Sequence, residues 1–331
     1  MQNLNSSNAK GRKFFYYLQY IPLVFFFPSI ISRFSLKQIL KNNNSQNKYI
    51  ESRVKYYLKT TGNFEVSKKS KNSSELLWNQ ISKNKQNSHF IDFYLLLKFF
   101  NHKNKVDFVY STKDYIDSAV AKQHPSYPTF VKSRPINSDN KNSILLKLNR
   151  IKLFHFICDS KKFENKKNQV VWRGNARNNP NREYFVKNFY NSPLFDVGQT
   201  SPKENVPWVK SFMSIKDQLD YKFIFCLEGK CISTNLYWAM SSNSVCVMPK
   251  PKYESWFMEG KLKDGVHYIE VKNDFSNAEE KIKFYKNKHD KCLEIIDNAK
   301  KFVKQFEDPK QERLIQLLIL KQYFKSTGQY E

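Results

Sequence analysis

Hydrophobic positions change their spacing several times along this chain, and each change predicts an element. Over residues 34–58 they recur at helical intervals (Ile39, Leu40, Ile50, Val54, Tyr57, Leu58), with an Asn-rich break at 41–48. Residues 90–100 (FIDFYLLLKFF) are apolar without a readable period, so helix and strand both stay open. Residues 106–110 (VDFVY) predict a strand, 128–136 an extended basic segment, and 144–157 an apolar stretch with polar breaks at Lys147, Asn149, Arg150 and Lys152. A charged stretch at 164–168 follows and marks a boundary. Beyond it, short apolar runs predict strands at 170–172, 194–197, 223–227 and 245–248, with a helix over 182–190 and another from Leu236. Residues 277–306 and 310–325 predict two amphipathic helices whose apolar residues are core.

The most informative stretch is 222–271. An apolar run stops at Glu228-Gly229, a Ser233-Thr234-Asn235 cluster precedes helical spacing at Leu236, Ala239 and Met240, and a second apolar run ends before Pro249. Strand, capped helix and strand make a βαβ unit. Such units hold ligands at the carboxyl ends of their strands, where free N–H groups suit an anion such as a diphosphate. Ordinary scaffold gives the same pattern, and neither GxGxxG nor GxxxxGK[ST] occurs. A second strand–turn follows the same logic at Trp172-Arg173-Gly174-Asn175. There Arg173, Arg177 and Arg182 gather at a strand–loop–helix junction, either as a phosphate clamp or as solvated surface arginines. Asp196 marks the next short strand. Asp114, just past the strand at 106–110, is positioned either as a carboxylate base or as a helix cap.

Length and charge narrow the partners. With 331 residues the chain suits two domains, divided here as 1–165 and 166–331, and 40% hydrophobic residues let each bury a core. A net charge of +26 predicts phosphate-bearing partners: nucleic acid, an anionic bilayer, or a phosphorylated glycolipid. Lysines are spread along the whole chain, which weakens the nucleic-acid reading; a Lys- and Asn-rich proteome accounts for part of the excess. The five cysteines show no CxxC spacing and form no zinc pattern with the six histidines, so a reduced, cytosolic setting is expected. Residues 14–32 are aromatic and apolar, flanked by Lys10, Arg12, Lys13, Arg33 and Lys37, and diluted by Gln19, Pro22 and Pro28. They predict an interfacial or in-fold helix rather than a membrane span or a cleaved signal peptide.

Trp172-Arg173-Gly174, Pro180-Asn181-Arg182, Asp196, residues 222–229, 235–245 and Val266-His267-Tyr268 together resemble glycosyltransferase family 90, most closely its bacterial lipopolysaccharide branch. The resemblance covers residues 106 to the C-terminus. It implies an α/β, GT-B-like fold of two Rossmann-like domains facing a cleft, with C-terminal helices. It implies an inverting, metal-independent hexosyltransferase with a UDP-sugar as donor, no cofactor, and a lipopolysaccharide core sugar as acceptor. By the same resemblance Asp114 is the general base, and Asn175, Arg182, Ser233 and Asn235 contact the diphosphate. Arg173, Gly174, Arg177, Asp196, Glu228, Gly229 and Thr234 complete the donor set. Asn235 departs from the protein-modifying members, which carry arginine there, and Arg173, Arg177 or Lys230 are the compensating cations. The expected location is the cytoplasmic face of the inner membrane, with the anionic membrane surface as a partner and no nucleic acid. Protein O-glycosylation is the alternative within the family, and it needs a signal and disulfides that the sequence does not show; a basic nucleic-acid-binding protein is the alternative outside it.

Overall fold

Short strands and intervening helices build two units in this protein, a computed structural model that describes residues 9–26, 29–42, 47–60, 62–82, 87–108, 126–200 and 205–330. Among the described residues, one unit is formed by those between 9 and 153 together with 253–257 and 308–330; the other is formed by those of 154–252 and 258–307.

The first unit opens with five helices: α1 (Ala9–Phe26), α2 (Ser29–Asn42), α3 (Lys48–Tyr57), α4 (Ser73–Ser82) and α5 (Ser88–Leu97). The Asn-rich break predicted at 41–48 separates α2 from α3, and Asn47 caps α3 by accepting from the Tyr49 N–H. The undecided segment at 90–100 is helical. Asn87 caps α5, nine of whose ten residues are buried, so an all-round apolar sequence gives no period to read. Strands β1 (Asp107–Phe108), β2 (Thr129–Val131) and β4 (Ser143–Leu145) form a parallel sheet in the order β1-β2-β4. Strand β3 (Ser133–Pro135) pairs antiparallel with β9 (Tyr253–Ser255). The last helix, α11 (Pro309–Ser326), belongs to this unit, and a buried Glu312 on it accepts from Arg53 on α3 and from Lys147, each at 2.8 Å, and from the Trp256 indole.

The second unit is a five-stranded, wholly parallel sheet of β5 (Lys167–Gly174), β6 (Phe195–Gln199), β7 (Tyr221–Phe225), β8 (Val245–Pro249) and β10 (Ile269–Val271). Helices α6 (Pro180–Phe189), α7 (Ile215–Gln218), α8 (Leu236–Met240), α9 (Ala278–Lys286) and α10 (His289–Lys304) alternate with the strands or follow them. The strand order is β10-β8-β7-β5-β6. Numbered within the unit this reads 2-1-3-4-5, a doubly wound order that reverses direction between β5 and β7. The strands are buried on both faces, as Val170, Val171, Phe223, Ile224 and Val247 show. Phe185 on α6 packs against Phe225 and Phe275 in the same core.

Two elements differ from the sequence reading. Residues 277–306 form two helices rather than one, because Asn287 ends α9 with its N–H turned to the Phe284 and Tyr285 carbonyls. The helix after the Ser-Thr-Asn cluster is only Leu236–Met240, and Asn235 precedes it without a side-chain capping bond. Among the described residues no helix is long and apolar enough to cross a membrane.

Candidate functional site

In an open parallel sheet, ligands sit at the carboxyl ends of the strands where the order reverses. Here those ends are the turns after β5 and β7, and one side chain ties them together. Arg182, in the first turn of α6, donates from Nε to the Glu228 carbonyl at 3.0 Å and from Nη2 to the Leu227 carbonyl at 2.9 Å. Its Nη1 reaches back to the Asn175 carbonyl at 3.1 Å. Two glycines make this approach possible. A Cβ on Gly229 would lie 3.2 Å from Arg182 Nη2, and a Cβ on Gly174 would lie 2.7 Å from the Trp172 ring. Trp172 in turn lies beneath the guanidinium, 5.8 Å from its carbon to the ring centroid.

Local sequence sets this geometry. Asn178 adopts a positive φ of 58°, which Asn tolerates better than most residues. Asn179 caps α6 by accepting from the Arg182 N–H, and Pro180 starts the helix where a missing N–H costs nothing. The Asn175 side chain accepts from the Arg177 N–H at 2.9 Å, closing the turn. Burial lowers the pKa of the Arg182 guanidinium, and the nearby Cys231 partly offsets this. Among the described residues no carboxylate pairs with Arg182, so the junction carries a desolvated positive charge.

The β7 turn is tied to the same place. Ser233 Oγ donates to Asn235 Oδ1 at 2.6 Å, and Asn235 Nδ2 donates to the Phe225 carbonyl at 2.8 Å. Glu228 Oε1 accepts from the Lys252 backbone N–H at 2.9 Å. Thr234, Asn175 and Arg177 are exposed on these loops.

Arg173 on β5 and Asp196 on β6 form a separate set of bonds. Arg173 Nη2 reaches Asp196 Oδ1 at 2.6 Å, and its Nη1 donates to the Asp196 carbonyl at 2.6 Å. Lys210 Nζ adds a bond to the same Oδ1 at 2.9 Å, and the Tyr221 hydroxyl donates to Oδ2. Burial disfavours the Asp196 charge, but the bonds from Tyr221, Arg173 and Lys210 outweigh it and hold the carboxyl well below the usual range. Burial and the neighbouring carboxylate push the Tyr221 phenol up. Neither Lys210 nor Tyr221 stood out in the sequence. The available signal was Gly198 inside a strand, where a Cβ would lie 2.6 Å from the Lys210 side chain.

The sequence-predicted donor residues thus fall into two groups. Gly174, Asn175, Arg177, Arg182, Glu228, Gly229, Ser233, Thr234 and Asn235 gather on the two turns at the switch point, whereas Arg173 and Asp196 engage each other. Asp114 lies outside the described residues. Among those described, no cluster of His, Cys, Asp and Glu could hold a metal.

A doubly wound sheet with a cationic brace across its reversal point defines an α/β unit suited to a phosphate-bearing ligand. The chain belongs to glycosyl transferase family 90, whose profile matches residues 150–325. It is similar to O-glucosyltransferase LpsA of Dichelobacter nodosus, 40% identical over 241 residues, which covers 72% of this chain and 73% of that protein. It is also similar to Protein O-glucosyltransferase 1 of Homo sapiens, 27% identical over 148 residues, with 42% and 37% covered.

Proposed function

We propose that the protein transfers glucose from a UDP-sugar to a sugar of the lipopolysaccharide core, with inversion and without a metal. The observation that carries this reading is the guanidinium of Arg182, which joins both switch-point turns and meets no described carboxylate. Arg182 is partly buried and its hydrogen-bond acceptors among the described residues are neutral carbonyls, so an anion would complete it, and a diphosphate is the anion that a glycosyltransferase supplies. The relative's name, an O-glucosyltransferase, favours glucose as the sugar.

In the reaction the acceptor hydroxyl attacks the anomeric carbon, the bond to UDP breaks, and the hydroxyl proton passes to a carboxylate. Asp114 is assigned as that base, on the family resemblance. Charge grows on the departing β-phosphate, and Arg182, with donors from the Asn175 and Ser233 turns, is assigned to stabilise it. Helix α8 has little more than one turn, so its dipole contributes less than the arginine does. A GT-B-type division of labour follows: the donor belongs to the unit with the five-stranded sheet, and the acceptor to the other.

A panel of UDP-glucose, UDP-galactose, UDP-xylose and UDP-N-acetylhexosamines, offered with truncated core glycolipid and read by mass spectrometry, tests this reading. Transfer of one hexose from UDP-glucose is expected. Absence of both transfer and UDP binding across the panel would overturn it.

A further inference from the structure

Helix α1 is arranged inside out. On a water-facing helix, tyrosines sit outward with their hydroxyls in solvent and phenylalanines sit inward. Here Tyr16 is buried and donates to Asp92 Oδ1 at 2.6 Å, and Tyr20 lies under the Arg150 guanidinium, 4.7 Å from its centroid. Asp92 is fixed in turn by Arg150, whose backbone N–H and Nε bond it at 2.9 and 2.7 Å. Lys98 Nζ donates to the Leu23 carbonyl at 2.7 Å and to the Val24 carbonyl, anchoring the end of the helix. Outward, Phe14 (64% exposed), Phe15 (68%), Leu18 (59%), Phe25 (53%) and Phe26 (81%) stand bare together with Pro22. At helical pitch these six fall in an arc of about 120°. The polar-tipped rings have partners inside, and the purely hydrocarbon ones face out.

Residues 9–42 contain no Asp or Glu, and the first acidic residue of the chain is Glu51. Lys13 on α1 and Lys37 and Lys41 on α2 are exposed, and α2 adds an exposed Phe34. We propose that the outer face of α1 docks on an anionic lipid bilayer, lying in the interface plane with its phenylalanines at the headgroup–acyl boundary and the lysines on the headgroups. A second copy of the chain fits less well. An isologous contact would bring together two stretches that carry exposed lysines and no acidic residue, whereas an anionic surface neutralises them. This goes beyond the transferase reading, and it is measured without any sugar donor, so each can fail while the other stands.

The test uses the full chain with vesicles of phosphatidylcholine alone or mixed with phosphatidylglycerol. Cosedimentation with the anionic vesicles is expected, and Phe14→Ser/Leu18→Ser/Phe25→Ser should lower the partition coefficient by about tenfold or more. Lys13→Gln/Lys37→Gln/Lys41→Gln should weaken binding to anionic vesicles by about tenfold and leave binding to neutral ones unchanged. Because residue 15 is exposed, Phe15→Trp reports insertion with little effect on folding, through a blue shift of the added indole emission. No binding by the wild type, equal binding by the serine variant, or no emission shift would each overturn the proposal. So would a wild-type dimer in ultracentrifugation that the serine variant makes monomeric without any change in vesicle binding, since a second copy would then cover the face.

Discussion

Arg182 touches carbonyls from both turns and no described carboxylate, so its replacement separates the local roles. Arg182→Ala is expected to raise the Kd for UDP by about tenfold or more, the scale of a lost charge-assisted hydrogen bond, measured by calorimetry. Arg182→Lys should recover little, because an ammonium cannot reproduce the planar fork. Asp196 makes a different prediction. Its folded carboxyl is held below the ordinary range, so the stability it supplies is fully present above the unfolded value of about 4 and is lost as the pH falls below it. Asp196→Asn should therefore lower the urea midpoint most near neutrality, with the gap to wild type closing below about pH 4. That residues 173–182 form a strand–loop–helix junction was legible because Arg, Gly and Asn recur around a strand end. That Arg173 would turn to Asp196 rather than join Arg182 was not legible, since alternation along a strand fixes faces but not partners across the sheet.

Helix α1 is held by specific polar contacts together with its buried Tyr16 and Val24. Tyr16→Phe removes the hydroxyl that bonds Asp92, while Arg150 still satisfies the carboxylate. Amide exchange over residues 9–26 is expected to speed up by about tenfold with little change in the global Tm, read by mass spectrometry. Among the elements, parallel strands of the second unit were readable because burial on both faces leaves unbroken apolar runs, as at 223–227 and 245–248. Helix α5 was not, since burial all round erases its period. The break between α9 and α10 was missed because Asn287 is one polar residue among many in that lysine-rich stretch, and only its backbone bonds reveal the stop.

Across the whole molecule, the proposed function gives donor and acceptor roles to different units, and one substitution tests the acceptor side of that proposal. Asp114→Asn should abolish transfer from UDP-glucose and leave the calorimetric affinity for UDP unchanged, because the base acts on the acceptor hydroxyl alone. Full transfer by the variant would move the role to another carboxylate, with Asp117 the nearest in sequence.

The order of synthesis and the order of assembly run against each other here. Arg53 emerges early, yet the carboxylate it pairs with, on Glu312, lies 259 positions later, and β3 waits for β9. The portion made first is consequently the portion completed last, while residues 154–252 and 258–307 need only a five-residue detour between them. A premature stop within the final helix would thus strike hardest at the opposite terminus, exposing the interior of a region translated long before the lesion.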